Sequence, residues 1–208
     1  MANLSLKEQK QELIKSTILN SAEKYFVSGG IDAVNLRKIA QDIGYSATNI
    51  YKYFQDKDAI IQALIEKRMQ EIAQNITSIK PDQLSIKDTI ALGFKLHIHK
   101  VLEYREHYKT VMLSKEKIFL DATSMLNPTT LNRLPTQRRL LETLKMGIEK
   151  GELREIDPIK TAQVLWSGMF GILIRVIIED YKDLAYIDQL VDTYVDHMFL
   201  GINANKKA

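Results

Sequence analysis

Gly44 interrupts a helical pattern where two short amphipathic segments meet, and this constrains the fold more than any other feature of the chain. The run from Leu36 to Phe54 reads LRKIAQDIGYSATNIYKYF. Before the glycine, Ile39, Ala40 and Ile43 recur at helical spacing and form one apolar face. Asn35 precedes them with a side-chain oxygen able to accept from the free N–H groups of a first turn. Glycine enters the left-handed region at little cost and so ends that helix. Ser46 is a fresh cap, and a second helix is expected over Ala47 to Phe54. Ile50 and Phe54, four apart, share a face that can pack back onto Ile39 and Ile43. Ala40 is small where the second helix has to cross closely.

That packing leaves Ala47, Thr48, Asn49, Tyr51, Lys52 and Tyr53 facing outward, wholly or in part. Their chemistry suits a nucleic-acid groove. Asn49 can pair bidentately with adenine, Thr48 suits several base edges, and Ala47 can meet a thymine methyl. Tyr51 and Tyr53 offer hydroxyls to phosphates, and Lys52 can reach base or phosphate. Asp56 caps the next helix, whose free N–H groups and dipole favour an anion beside Lys57. Arg37, Lys38, Lys52 and Lys57 cluster around the hairpin, opposed by Asp42, Asp56 and Asp58. The plainer alternative for each of these residues is ordinary solvated surface.

The flanking segments complete a three-helix unit. From Lys10 to Ser28, Leu13, Ile14, Ile18, Leu19, Ala22, Tyr25 and Phe26 fall at helical spacing, and Gly29-Gly30 stops the run. Ile31 and Val34 can plug the small core from the connector.

The pattern from Ile18 through Leu64 resembles the DNA-binding domain of TetR-family transcriptional regulators. The matching elements are Phe26-x-x-x-Gly30, Ile39-Ala40, Ile43-Gly44, Ile50-Tyr51-x-Tyr53-Phe54 and Lys57-Asp58. Further on, Gly147-x-x-x-Gly151-Glu152-Leu153 followed by Asp157-Pro158 is similar to the family's approach to its penultimate helix. Asn35 stands where Thr or Ser is more usual, and Tyr45 replaces a small aliphatic in the turn. The resemblance implies that the matching positions touch DNA, Arg37 on the preceding helix included. It also implies a homodimer that binds a palindromic double-stranded operator, most often as a repressor, and a small-molecule effector.

Bulk composition bounds the alternatives. Hydrophobic residues make up 45% and charged residues 26%, the balance of a globular protein with a substantial core. Zero cysteines exclude a disulfide scaffold and thiolate metal sites. The amino terminus lacks a secretory apolar stretch, and the apolar run from Val164 to Ile178 is broken by Arg175 and short of the ~20 residues of a bilayer span. A cytoplasmic protein with no membrane partner is expected. Residues 1–70 carry ten basic against eight acidic side chains, so binding would rest on placed phosphate contacts rather than bulk charge.

Helical periodicity continues to the end, so the fold is expected to be all-α with about nine helices. Residues 1–55 would form the helix–turn–helix DNA-binding domain and residues 56–208 a larger helical effector-binding and dimerisation domain. Helices are expected over Asp56–Ser78, from a Ser85 cap to about Glu103, around His107–Ser114, over Thr136–Lys150, from Asp157-Pro158 to about Asp180, and from about Tyr186 to Leu200. A break falls at Lys80-Pro81-Asp82. Lys115 to Pro135 shows no period and carries the breakers Asn127-Pro128 and Leu134-Pro135. The last two helices are apolar on much of their surface. Either both are core, or part of each is shared with a second copy across a two-fold axis. Gly168 and Gly171 favour a close crossing in either case. Dimerisation gains weight because one short reading helix contacts too few bases.

Candidates for an effector site come from apolar stripes. Ile90, Phe94, His97, Val101 and Tyr104 align along one helix, and Tyr108, Met112, Trp166, Met169, Phe170 and Arg175 are further lining candidates for a partly apolar ligand. Each taken singly also fits a core role. No cofactor or metal is implied: His97 and His99, two apart, diverge by about 200° on a helix, and Glu103 with His107 lacks companions. No phosphate loop, nucleophile elbow or His-Glu-x-x-His motif supports an enzyme. The principal rival is a DNA-bridging or architectural protein with no small-molecule switch.

Overall fold

The computed structural model describes residues 5–79 and 84–203. Among them lie eleven helices and no strand, with one isolated antiparallel bridge between Leu153 and Asn203. The helices are α1 Leu6–Ala33, α2 Leu36–Asp42, α3 Ala47–Tyr51, α4 Lys57–Thr77, α5 Ile86–Glu103 and α6 Arg105–Met112. They continue with α7 Lys117–Thr123, α8 Pro128–Arg133, α9 Pro135–Glu149, α10 Pro158–Ile178 and α11 Leu184–Ile202. The count exceeds the expected nine because α7 and α8 occupy the stretch that shows no period. They span seven and six residues, too short for a hydrophobic repeat to register. Local hydrogen bonds mark their starts instead: Ser114 Oγ accepts from Glu116 N–H at 3.1 Å in the turn before α7, and Asn127 Oδ1 accepts from Thr129 N–H at 3.0 Å in the first turn of α8. The break expected at Lys80-Pro81-Asp82 lies outside the described residues.

The chain forms two compact units. The first comprises Met1–Arg68 with Glu106–Phe119, the second Met69–Arg105 with Leu120–Ala208, so α4 contributes to both.

In the first unit, α1 begins earlier than its apolar pattern suggests. Ser5 and Glu8 make a reciprocal capping box that satisfies two end donors, so four exposed residues precede Lys10 in the helix. Leu13, expected on the buried face, is 68% exposed because the core starts only at Ile18. Gly29 and Gly30 leave helical geometry, Gly30 with φ +68°, and kink the chain before a last turn ending at Ala33. Val34 is buried and Ile31 half-buried, as connector plugs. Ile18, Ala22, Phe26, Ile39, Ile50, Ile60, Ile61 and Leu64 are fully buried. Each of these Ile, Leu and Phe side chains stabilises the fold by roughly 1.5–3 kcal/mol relative to exposure. Phe26 stacks edge-on to Phe119, ring centroids 5.8 Å apart.

The second unit is organised by α5, α9, α10 and α11. Ser85 caps α5 and Asp157 caps α10, whose first residue is Pro158. Asp183 caps α11, which therefore opens two residues before Tyr186. A ladder of polar pairs runs between α5 and α11: Lys87 with Asp196 at 2.8 Å, Lys95 with Asp192 at 2.7 Å and His99 with Asp188 at 2.8 Å. The descending partner numbers fix the two helices as antiparallel. At 21 residues α10 exceeds the expected apolar run and is long and apolar enough to cross a bilayer. It buries Ala162, Leu165, Trp166, Met169, Leu173, Val176 and Ile177 in this unit. Gly168 is a close-approach site: a Cβ there would sit 2.6 Å from Cε2 of Tyr194 on α11. At Gly171 no other element among the described residues comes within 4 Å of such a Cβ.

Candidate nucleic-acid interface and internal cavity

The hairpin around Gly44 is built by its caps. Asn35 Oδ1 accepts from the N–H groups of Arg37 at 2.9 Å and Lys38 at 3.2 Å. Gly44 adopts φ +70°, and Tyr45 N–H donates to Ala40 O at 2.8 Å across the turn. Ser46 Oγ accepts from Asn49 N–H at 3.3 Å and starts α3. This helix is five residues long and ends at Tyr51, earlier than the expected Phe54. The chain then tightens into a turn, with the N–H groups of Tyr53 and Phe54 both donating to Ile50 O at 2.9 and 3.0 Å. The tightening keeps Ile50 and Phe54 buried together with Ile39 and Ala40. Tyr45 is 38% exposed, so its ring projects from the turn instead of filling it.

With that face buried, the others face out. Arg37, Lys38, Thr48, Tyr51 and Lys52 are exposed, whereas Ala47, Asn49, Tyr53 and Lys57 are half-buried. Two of the acids near them, Asp42 and Asp56, are engaged locally. Tyr25 Oη donates to Asp42 Oδ2 at 2.8 Å and Ser21 Oγ at 3.2 Å, which pins the end of α2 to α1. This hydrogen bond to Asp42 also raises the pKa of the Tyr25 phenol. Asp56 Oδ1 accepts from Ala59 N–H at 2.8 Å and caps α4. Ser21 and Tyr25 position α2 in a way the apolar periodicity of α1 does not reveal. Their spacing of four, which sets them on one side of α1, is the available signal.

A cavity of about 30 Å³, partly open to solvent, lies inside the second unit. It is lined by Ile76, Ile79, Thr89, Ile90, Gly93, Phe94, Thr136, Arg139, Leu140, Thr143 and Trp166. Of the candidate lining residues, Phe94 and Trp166 border it, their rings edge-to-face with centroids 6.2 Å apart. His97 packs on the other side of Trp166 at 4.9 Å and is buried, and burial depresses its pKa to about 3, so it stays neutral. Met169 is fully buried, while Phe170 and Tyr104 are half-buried beyond the lining. Lys100 Nζ sits 5.3 Å from the Tyr104 ring centroid. Arg175 is exposed and pairs with Glu179 one turn on, away from the cavity. Tyr108 and Met112 belong to the first unit. There Tyr108 is buried, which pushes its phenol pKa upward, and Met112 is half-buried. The stripe on α9 went unrecognised: Thr136, Arg139, Leu140 and Thr143 stand at i, i+3, i+4 and i+7, one helix face. Among the described residues no group of three or more His, Cys, Asp or Glu could hold a metal ion.

A short exposed helix, capped at its start and braced by two others, with amide, hydroxyl and cationic groups outward, defines a DNA-binding protein of helix–turn–helix type. Residues 18–64, the segment that holds the helix–turn–helix, match the sequence model of the bacterial regulatory proteins of the tetR family. The HTH-type transcriptional regulator YvkB of Bacillus subtilis is 24% identical over 158 residues, 76% of this chain and 80% of YvkB. The fatty acid degradation regulator FadR from Bacillus halodurans shares the fold at TM-score 0.68 and 19% identity, over 86% of this chain and 96% of FadR. SmeT, solved in complex with triclosan, does so at TM-score 0.65 and 19% identity, over 92% of each chain.

Proposed function

We propose that this regulator is a ligand-responsive repressor that binds a palindromic operator as a homodimer. Residues 1–55 act as the reading head, and residues 56–208 bind effector and dimerise. The observation that carries the reading is the outward display of Thr48 and Tyr51 on α3 and of Lys52 just past its end, with Asn49 half-exposed beside them. Arg37, Lys38, Tyr53 and Lys57 hold the backbone of the duplex, and Ala47, Thr48 and Asn49 read base edges in the major groove.

Dimerisation is supported by two exposed apolar stripes. Val164, Gly171 and Ile178 recur every seven residues on α10, with Val164 55% and Ile178 53% exposed. On α11, Tyr186, Leu190 and Leu200 are 47%, 37% and 55% exposed along one side. A second copy would cover both stripes, and the open space at Gly171 admits a close helix. SmeT was solved with triclosan bound, which favours a small-molecule effector here too. The cavity bordered by Phe94 and Trp166 is its seat. A chromosomal target places the protein in the cytoplasm.

Selection of bound sites from randomised duplex DNA tests the reading. An inverted repeat with half-sites about one helical turn apart or somewhat wider is expected. Sequence-indifferent binding would favour an architectural protein without a switch. If ligand and DNA bind antagonistically, each weakens the other by the same factor.

A further inference from the structure

The cavity in the second unit is narrow, mostly apolar and bordered by one half-buried cation. Its lining contains no Asp or Glu, yet it holds Arg139. One guanidinium nitrogen of Arg139 donates to Ile79 O at 2.6 Å, and Arg139 Nε is buried with no hydrogen-bond partner. Thr89 Oγ1, on the facing helix α5, is likewise buried and unpartnered. Thr143 is not available as a balancing group, because its hydroxyl donates to Arg139 O at 2.9 Å. Among the described residues no carboxylate forms an ion pair with Arg139.

A guanidinium carries five donors and no acceptor, and burying it without an opposing charge is costly. Two unsatisfied donors thus face one space whose other walls are Ile76, Ile90, Phe94, Leu140 and Trp166. What completes such a site is a group with two acceptor oxygens and one negative charge, attached to an apolar body. We infer that the effector is a small carboxylic acid with an aliphatic or aromatic body, its carboxylate held by Arg139 and Thr89 and its body packed on Phe94 and Trp166. A carboxylate matches the planar edge of arginine in both shape and charge. A phosphate dianion would leave one charge unmatched among apolar walls. The free space is only about 30 Å³, well below the ~300–1,000 Å³ of ligand pockets, so the apolar body enters by displacing wall side chains.

This inference rests on the cavity being the effector site, and its test needs no DNA. Trp166 is the sole tryptophan of the chain and borders the cavity, so its emission reports occupancy. The probes are octanoate against 1-octanol and 3-phenylpropionate against 3-phenylpropanol, titrated into the full-length protein at pH 7. Each acid is expected to bind about tenfold or more tightly than its alcohol, a difference of about 1.4 kcal/mol or more. Arg139→Gln should remove that preference by weakening the acids far more than the alcohols, while Arg139→Lys retains part of it. Gly93→Val should exclude acids and alcohols alike, because a Cβ at Gly93 meets Ile76 and Ile79 at ordinary contact distances of 3.9 and 4.0 Å and its methyls fill the space. Acids and alcohols binding equally, no response to either acid at millimolar concentration, or an unchanged preference in Arg139→Gln would each overturn the inference. The wild-type comparison decides even if a variant fails to fold. Acid binding that leaves DNA affinity untouched would contradict the switch while upholding the ligand class. Rejection of both acids, beside another ligand that releases DNA, would do the reverse.

Discussion

Arg68 of α4 donates through Nε to Glu23 of α1 at 2.7 Å, and a second guanidinium nitrogen reaches the other carboxylate oxygen. Both side chains are largely shielded, at 12% and 16% exposure. His107 of α6 lies 3.4 Å from the same carboxylate and packs on Phe26. One acid therefore joins three helices of the first unit, among them the helix that braces the reading hairpin and the helix that leaves it.

Burial alone would raise the Glu23 pKa, but the adjacent His107 ring and the hydrogen bonds from Arg68 outweigh it and hold the carboxyl at about 2. A carboxyl depressed in the folded state stabilises it above the unfolded value of 4.5, and that contribution fades as pH falls through about 2. The full effect is on the order of 3 kcal/mol. Urea titrations between pH 7 and pH 2 should show wild-type stability dropping across this window. Glu23→Gln should begin lower at pH 7 and lose less on acidification. Parallel curves for the two proteins would contradict the account.

The seat of Tyr194 against Gly168 should be intolerant of even one methyl. Tyr194 is anchored by its hydroxyl, which donates to Leu165 O at 2.9 Å, so the ring cannot simply swing aside. Gly168→Ala should cost about 1–3 kcal/mol in equilibrium unfolding. Adding Tyr194→Ala should then cost less than the sum of the two single changes. Strict additivity would mean that ring and glycine do not meet.

Lys57 opens α4, where free N–H groups already favour an anion. Lys57→Ala should weaken binding to all DNA sequences alike and reduce the slope of log affinity against log salt by about 0.9. Fluorescence-anisotropy titrations at four or more salt concentrations measure the slope, and a wild-type value would remove Lys57 from the phosphate contacts.

Local chemistry made the hairpin legible. Asn35, Ser46, Asp56, Ser85 and Asp157 cap helices with their own side chains, and Gly44 takes the positive φ its turn requires. None of that depends on distant residues. The cavity was legible only in part. The stripe through Phe94 leads to Trp166, but α5 stops at the non-helical cap Tyr104, so its phase does not carry on to Tyr108 and Met112. Arg139 adjoins Arg138 in sequence, and which of the two turns inward is decided by tertiary packing that no local pattern records.

The central claim is that the outward face of α3 reads bases. Sites selected from randomised DNA by the wild-type protein and by Asn49→Ala should differ at one position in each half-site. There the variant loses its preference at a cost of about 1–3 kcal/mol and keeps it elsewhere. Identical selected motifs for both proteins would contradict direct readout by Asn49, and a motif unchanged in Thr48→Ala as well would take α3 out of the groove.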